Sequence, residues 1–375
     1  MNRFCLCTLL AAGWACASRF ATPPPGSDAG FSGQWVNATS NLASMTSECG
    51  NMSFLSARPD SDMLIAGIAQ KGLWASANGA TTWTALGQGS GSAPITNRTS
   101  SVVYDPAHPG TFWESGLYNA GGAYRTTDNG TTFVQLGTTL TMSHSDLISV
   151  DFTDPARGTL LAGGHEQSAT LHLSTNGGVS WSNIGANLPA TAGNSSFPLV
   201  INAQAFLLGT WGSSGAGIFR STDGGANWSP VHAGGVAARA FVASDETLYW
   251  VLETGGVVRS SDRGATWTQT AAAGTLSVFN GGTAMIELPG SRLISVGGNR
   301  LLLSTDRGVT WQFAGPAMPF APSGIAWSAA RKAIYAWHLD CGTIVQADAV
   351  QRLDVADPAT LAFTGESDPA SDPEP

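Results

Sequence analysis

One eight-residue pattern recurs six times and constrains the chain more than any other feature. It reads SANGATTW at residues 76–83, TTDNGTTF at 126–133, STNGGVSW at 174–181, STDGGANW at 221–228, SSDRGATW at 260–267 and STDRGVTW at 304–311. Successive copies start 39 to 50 residues apart. Self-similarity at that period is the mark of an array in which each unit buries its face against the next. The chemistry within each copy is that of a turn. Asp or Asn at the third position is placed to accept hydrogen bonds from the turn's own amides. Glycine at the fifth supplies a positive φ that a side chain resists. The closing Trp or Phe starts the next strand with a large apolar ring. The first copy departs furthest, with Asn78 at the third position and Ala80 at the fifth.

The pattern resembles the Asp box, or BNR repeat. That motif is found in sialidases, xyloglucan-degrading glycoside hydrolases, sortilin-type receptors and a photosystem assembly factor. The resemblance covers roughly residues 51–313 and implies a β-propeller in which the box joins the third and fourth strands of a blade. It specifies fold far better than function. The flanks agree: a β-rich segment precedes every box (72–76, 123–126, 171–174, 217–221, 257–260, 301–304), and further segments such as 63–68 and 101–104 lie ahead of those. Four strands per repeat make a blade. After the sixth box, residues 325–328, 333–337 and 343–346 supply three strands of a seventh blade without a box. Residues 33–36, whose Gly-Gln-Trp-Val echoes the strands after the boxes, supply its fourth and leave no open sheet edge. The alternative fourth strand is 350–355 or 361–363. The expectation is therefore an all-β chain forming a single seven-bladed propeller over residues 33–355, with six blades as the alternative.

The ends differ from this middle. Arg3, an uncharged apolar run over residues 4–15 and Ala15-Cys16-Ala17 form an export signal at 1–17. A Pro-, Gly- and Ser-rich linker follows at 18–32. The alternative to cleavage is lipidation of Cys16, although Gly13 stands where a lipoprotein signal carries Leu. The expected location is secreted or extracytoplasmic, with the membrane reached only through such an anchor. Residues 356–375 are acidic and Pro-rich and are expected to be a disordered tail. No internal stretch is apolar over the ~18 residues of a membrane span. A net charge of −9 argues against nucleic acid, whose binding rests on Lys and Arg displacing counterions. No metal-ligand spacing and no cofactor motif stands out, and the chain is expected to be a monomer.

Blade topology sorts the loops. Boxes lie on one rim, while loops joining second to third strands, and loops entering first strands, lie on the other. The box aspartates are therefore turn residues, and function belongs to the opposite rim. Cys49 and Cys341 both fall there, across the ring closure, and are expected to form a disulfide. Chemistry on that rim gathers in blades two to four. Blade two offers Trp113, Glu114, Tyr118 and Asn119; blade three offers His144, Asp146, His165 and Glu166; blade four offers Trp211. Blade seven adds Trp337 and His338, and blade six adds Arg300.

Three chemistries fit these residues. Glycoside hydrolysis needs two flanking carboxyls, drawn from Glu114, Asp146 and Glu166. Residues 121–125 resemble the GGAYR segment of xyloglucan-degrading enzymes, but Asn119 stands where an Asp precedes the glycine pair. Those enzymes also use two propellers. β-Elimination of a uronic polysaccharide needs a His or Tyr base, for which His144, His165 and Tyr118 are suited, with Arg300 or Lys71 neutralising the uronate. Trp211, Trp337, His338 and Arg300 would contact substrate. The third reading is a non-catalytic propeller that binds a glycan or a protein. Sialidase chemistry is disfavoured, because Arg125, Arg220 and Arg259 lead directly into boxes instead of forming a carboxylate-binding triad. The functional expectation is a poly- or oligosaccharide-cleaving propeller, with the binding module as its alternative.

Overall fold

The computed structural model describes residues 31–119, 121–138, 142, 145–212, 215–277, 283–359 and 361. Residues 1–17, expected as an export signal, most of the expected linker, His144 and the residues beyond Leu361 lie outside the described residues, as does the side chain of Asp146. Seven four-stranded antiparallel sheets follow one another. In blade 1 they are Met52–Ala57, Leu64–Ile68, Gly72–Ser76 and Thr84–Ala85. Blade 2 runs Arg98–Tyr104, Phe112–Leu117, Ala123–Thr126 and Val134–Gly137. The first strands of blades 7, 1, 2, 3 and 4 pack in succession, which sets them around a central channel.

Each of the six turns is closed by the same relay. The hydroxyl of the first residue accepts the amide of the fifth at 2.8–3.0 Å. It donates in turn to the third residue's Oδ1 at 2.7–3.0 Å. That oxygen also accepts the amide of the seventh residue. The fourth and fifth positions both take positive φ, including Ala80 and Arg263. The requirement thus extends one residue beyond the glycine seen in the sequence. The closing rings pack into the core: Trp83, Phe133 and Trp228 are buried. The indoles of Trp181, Trp228, Trp267 and Trp311 donate back to the fifth residue's carbonyl.

Ring closure comes from both termini. Blade 7 orders as Gly324–Ser328, Ala333–Trp337, Val350–Val355 and, outermost, Phe31–Asn37. The N-terminal strand is the fourth strand, as the echo of its sequence suggested. The third strand is Val350–Val355 and not residues 343–346. The latter instead join the chain entering blade 1, through a bridge between Thr46 and Ile344 and a 2.6 Å bond from Asn51 Nδ2 to the Ile344 carbonyl. Next to this seam Cys49 and Cys341 form a disulfide across 292 residues. Part of the region expected to be disordered is docked: Leu361 is fully buried against blades 6 and 7, and its carbonyl accepts Arg292 Nε at 2.7 Å.

On the box rim, ions link neighbouring blades. Arg157 of blade 3 meets Asp105 of blade 2 through two 2.9 Å bonds. Burial would raise the Asp105 carboxyl, but the Arg157 bonds, a backbone amide and His108 hold it well below the usual carboxylate range.

Candidate functional site

The opposite rim gathers a polar network from blades 1, 2 and 3. Its centre is Tyr118, in the second-to-third strand loop of blade 2, whose hydroxyl lies 2.9 Å from His165 Nε2 in the corresponding loop of blade 3. The two rings meet edge to face, with centroids 5.3 Å apart. Arg98, at the head of blade 2, sets its guanidinium 4.9 Å from the Tyr118 ring centre. Glu166 Oε1 is 3.8 Å from the same His165 nitrogen.

A second carboxylate organises the edge of this cluster. Glu48, beside the disulfide, accepts Asn119 Nδ2, accepts Gln70 Nε2 at 2.8 Å and lies 3.9 Å from Arg98. Tyr118, Asn119 and Glu166 all hold positive φ. For consecutive non-glycine residues such as Tyr118 and Asn119 that conformation is costly and needs surrounding bonds to fix it. Gly121 N donates to the Tyr118 carbonyl, and Thr96 Oγ1 to that of Asn119. The glycine pair next in the chain has its own reason: a Cβ on Gly122 would stand 2.0 Å from the Gly137 carbonyl.

Several residues expected at this rim serve packing instead. Glu114 is fully buried within blade 2, its Oε2 bonded by Asn97 Nδ2 at 3.3 Å. Burial pushes its carboxyl up to about 8, with Thr99 and Asn97 offsetting part of the rise. A substrate has no path to it. Trp113 and Trp337 are fully buried in inter-blade cores and present no ring face to a sugar. Trp211 is half-buried, with its indole donating to Ser196 Oγ at 2.7 Å. His338 stacks 4.2 Å from Phe320 with Asp348 3.8 Å away. Arg300 lies over Phe313 and donates to the Gly315 carbonyl, within its own blade. The partners of His338 and Arg300 lie in blades 6 and 7, whereas Ser196, the partner of Trp211, donates to the Gly164 carbonyl next to His165. Strand alternation could not separate these cases, because neighbouring blades cover both faces of a sheet.

Arg98, Glu48 and Gln70 belong to no motif in the sequence. For Arg98 and Glu48 the one signal is scarcity, since a charged residue stands out in a chain with 11% charged residues, while the neutral Gln70 carries none. Among the described residues no group of three His, Cys, Asp or Glu gathers as a metal site, and no helix is long and apolar enough to cross a membrane.

A family model described as the DUF6242 beta propeller domain matches residues 179–323, less than half of the chain. No curated protein matches in sequence. The fold is similar to the GH74 xyloglucanase of Xanthomonas campestris, at 16% identity and a TM-score of 0.57, covering 87% of this chain and 56% of that one. It is similar to YCF48 from Cyanidioschyzon merolae, at 13% identity and 0.54, over 86% and 99% of the two chains. It is also similar to the extracellular domain of a putative hybrid two component system, BT3049, of B. thetaiotaomicron, at 12% identity and 0.58, over 81% and 40%. The chain thus spans little more than half of the xyloglucanase. At these identities the likeness is one of fold, shared by a xyloglucanase and by the extracellular domain of a putative hybrid two component system.

Proposed function

We propose that this chain is an extracytoplasmic propeller that cleaves an acidic polysaccharide by β-elimination at the rim of blades 1–3. The observation that carries this reading is the 2.9 Å hydrogen bond between Tyr118 and His165 beside the Arg98 cation. Elimination needs a base for the proton next to the uronate carboxylate and an acid for the departing oxygen. Neutral His165 takes that proton, and the Tyr118 phenol protonates the glycosidic oxygen as the C–O bond breaks and the ring gains a double bond. The imidazolium then returns a proton to the phenolate across their shared hydrogen bond, restoring both groups. Arg98 faces the substrate carboxylate and makes the adjacent C–H more acidic. Hydrolysis is less well supported, because Glu114, a leading acid in the sequence, is sealed inside blade 2. Export would follow from the signal at residues 1–17.

The test is a screen of purified protein against uronic and neutral polysaccharides. Ultraviolet absorbance of unsaturated products from a uronic polymer, lost in Tyr118→Phe and His165→Ala, is the expected result. Reducing ends without that absorbance would replace the reading with hydrolysis. A non-catalytic binding module is the second reading, favoured by the low exposure of the His165 side chain, 16%. Retention on a glycan array without turnover would establish it.

A further inference from the structure

Arg239 precedes the short first strand of blade 5, Phe241–Val242. Its Nη2 donates to Ser101 Oγ at 3.1 Å, in the first strand of blade 2. Its guanidinium carbon lies 5.9 Å from the centre of the Phe54 ring, in the first strand of blade 1. Blade 5 adjoins neither blade 1 nor blade 2. Their first strands face one another only across the central channel, so the guanidinium stands in that channel. The Arg239 side chain is half-buried, so water reaches part of it, as expected for a narrow wet passage.

This cation has no counter-charge among the described residues. Ser101 is its one hydrogen-bond acceptor there, and its Nε is buried without a partner. Tyr104, whose charge would compensate it, is itself driven towards the neutral phenol by burial and is bonded to Ser56 at 2.7 Å. Burial lowers the guanidinium to about 10, which leaves it charged at neutral pH. A charge whose buried Nε has no acceptor is stabilised when an anion takes up that donor. The Ser101 hydroxyl accepts from Nη2, and its own proton has no acceptor among the described residues. A planar fork of N–H donors beside an O–H donor suits a carboxylate.

We infer that the central channel holds a small free carboxylate, bound by Arg239 and Ser101. The site is independent of the Tyr118 cluster and of its chemistry. The experiment is thermal unfolding of the whole protein in sodium acetate and in sodium chloride at matched ionic strength. Wild type is expected to gain melting temperature with acetate along a saturable curve, as ligand binding to the folded state requires. Arg239→Gln is expected to abolish that gain and Ser101→Ala to weaken it. An equal response to both salts, or an acetate gain that persists in Arg239→Gln, overturns the inference. Should Arg239→Gln fail to fold, line broadening of isotopically labelled acetate by wild type decides. Broadening reversed by excess formate supports the site, and its absence refutes it.

Discussion

The buried carboxyl of Glu114 makes a quantitative prediction. In the unfolded chain it ionises near its ordinary 4.5, whereas the folded protein holds the proton up to about 8. Between those values the folded state binds the extra proton, so stability falls as pH rises through the window. Each unit is ~1.36 kcal/mol, and the full 3.5-unit difference sets a ceiling of about 5 kcal/mol. Between pH 5 and pH 8 the loss from this one group is about 3.5 kcal/mol by the same relation. Glu114→Gln keeps the shape and removes the titration. Unfolding entropy of ~2.1 cal/mol/K per residue makes 1 kcal/mol worth roughly 1.3 °C in a chain of this length. The variant should therefore melt within about 2 °C of wild type at pH 5 and about 5 °C above it at pH 8. Calorimetry at the two pH values reads this directly. A difference between variant and wild type that does not change with pH would refute the reasoning, for it would mean that Glu114 ionises in the fold as readily as outside it.

Removing the disulfide by Cys49→Ser with Cys341→Ser should lower stability by up to about 5 kcal/mol, because the loop it closes spans most of the chain; denaturant unfolding measures it. The box carboxylates act in the opposite sense to Glu114. Side-chain and backbone bonds from Thr266 hold Asp262 down to about 2, and Asp128, Asp223 and Asp306 are lowered as well. Their stabilisation is complete above about pH 4 and lost as pH falls through the folded values, so acid unfolding should set in between about pH 4 and 2. Circular dichroism against pH tracks this, and Asp262→Asn should shift the onset. Glu48→Gln weakens the hold on Asn119, Gln70 and Arg98. On the elimination reading it should slow turnover several-fold, with a melting temperature within about 2 °C of wild type, because a partly solvated pair 3.9 Å apart contributes little stability.

The parts of this protein that were legible in its sequence are those built from local chemistry. Each Ser-x-Asp-x-Gly turn carries its own hydrogen-bond relay, so six copies announce six blades before any long-range contact is known. The N-terminal strand was legible because its Gly-Gln-Trp-Val resembles the strand after a box, and the disulfide because topology put Cys49 and Cys341 on one rim. Tyr118 and His165 were both legible as rim residues, but their direct bond was not, since it depends on two loops taking positive φ at non-glycine positions. Glu114 and Trp337 misled because a blade is covered on both faces, which erases the alternation that separates surface from core. Residues 343–346 misled because their β character serves a bridge to Thr46 outside the blade. Arg239 was hidden differently. A lone cation among Val236, Ala237, Ala238 and Phe241 is conspicuous, but only the closed ring brings it to Ser101 and Phe54.

The mass of the products released from a uronic polysaccharide tests the central claim most directly. Elimination at Tyr118 and His165 adds no water, so the fragments should sum to the mass of the parent chain, with one fragment lighter by a water than its hydrolytic counterpart. Fragments that together carry one added water per cut would contradict the assignment.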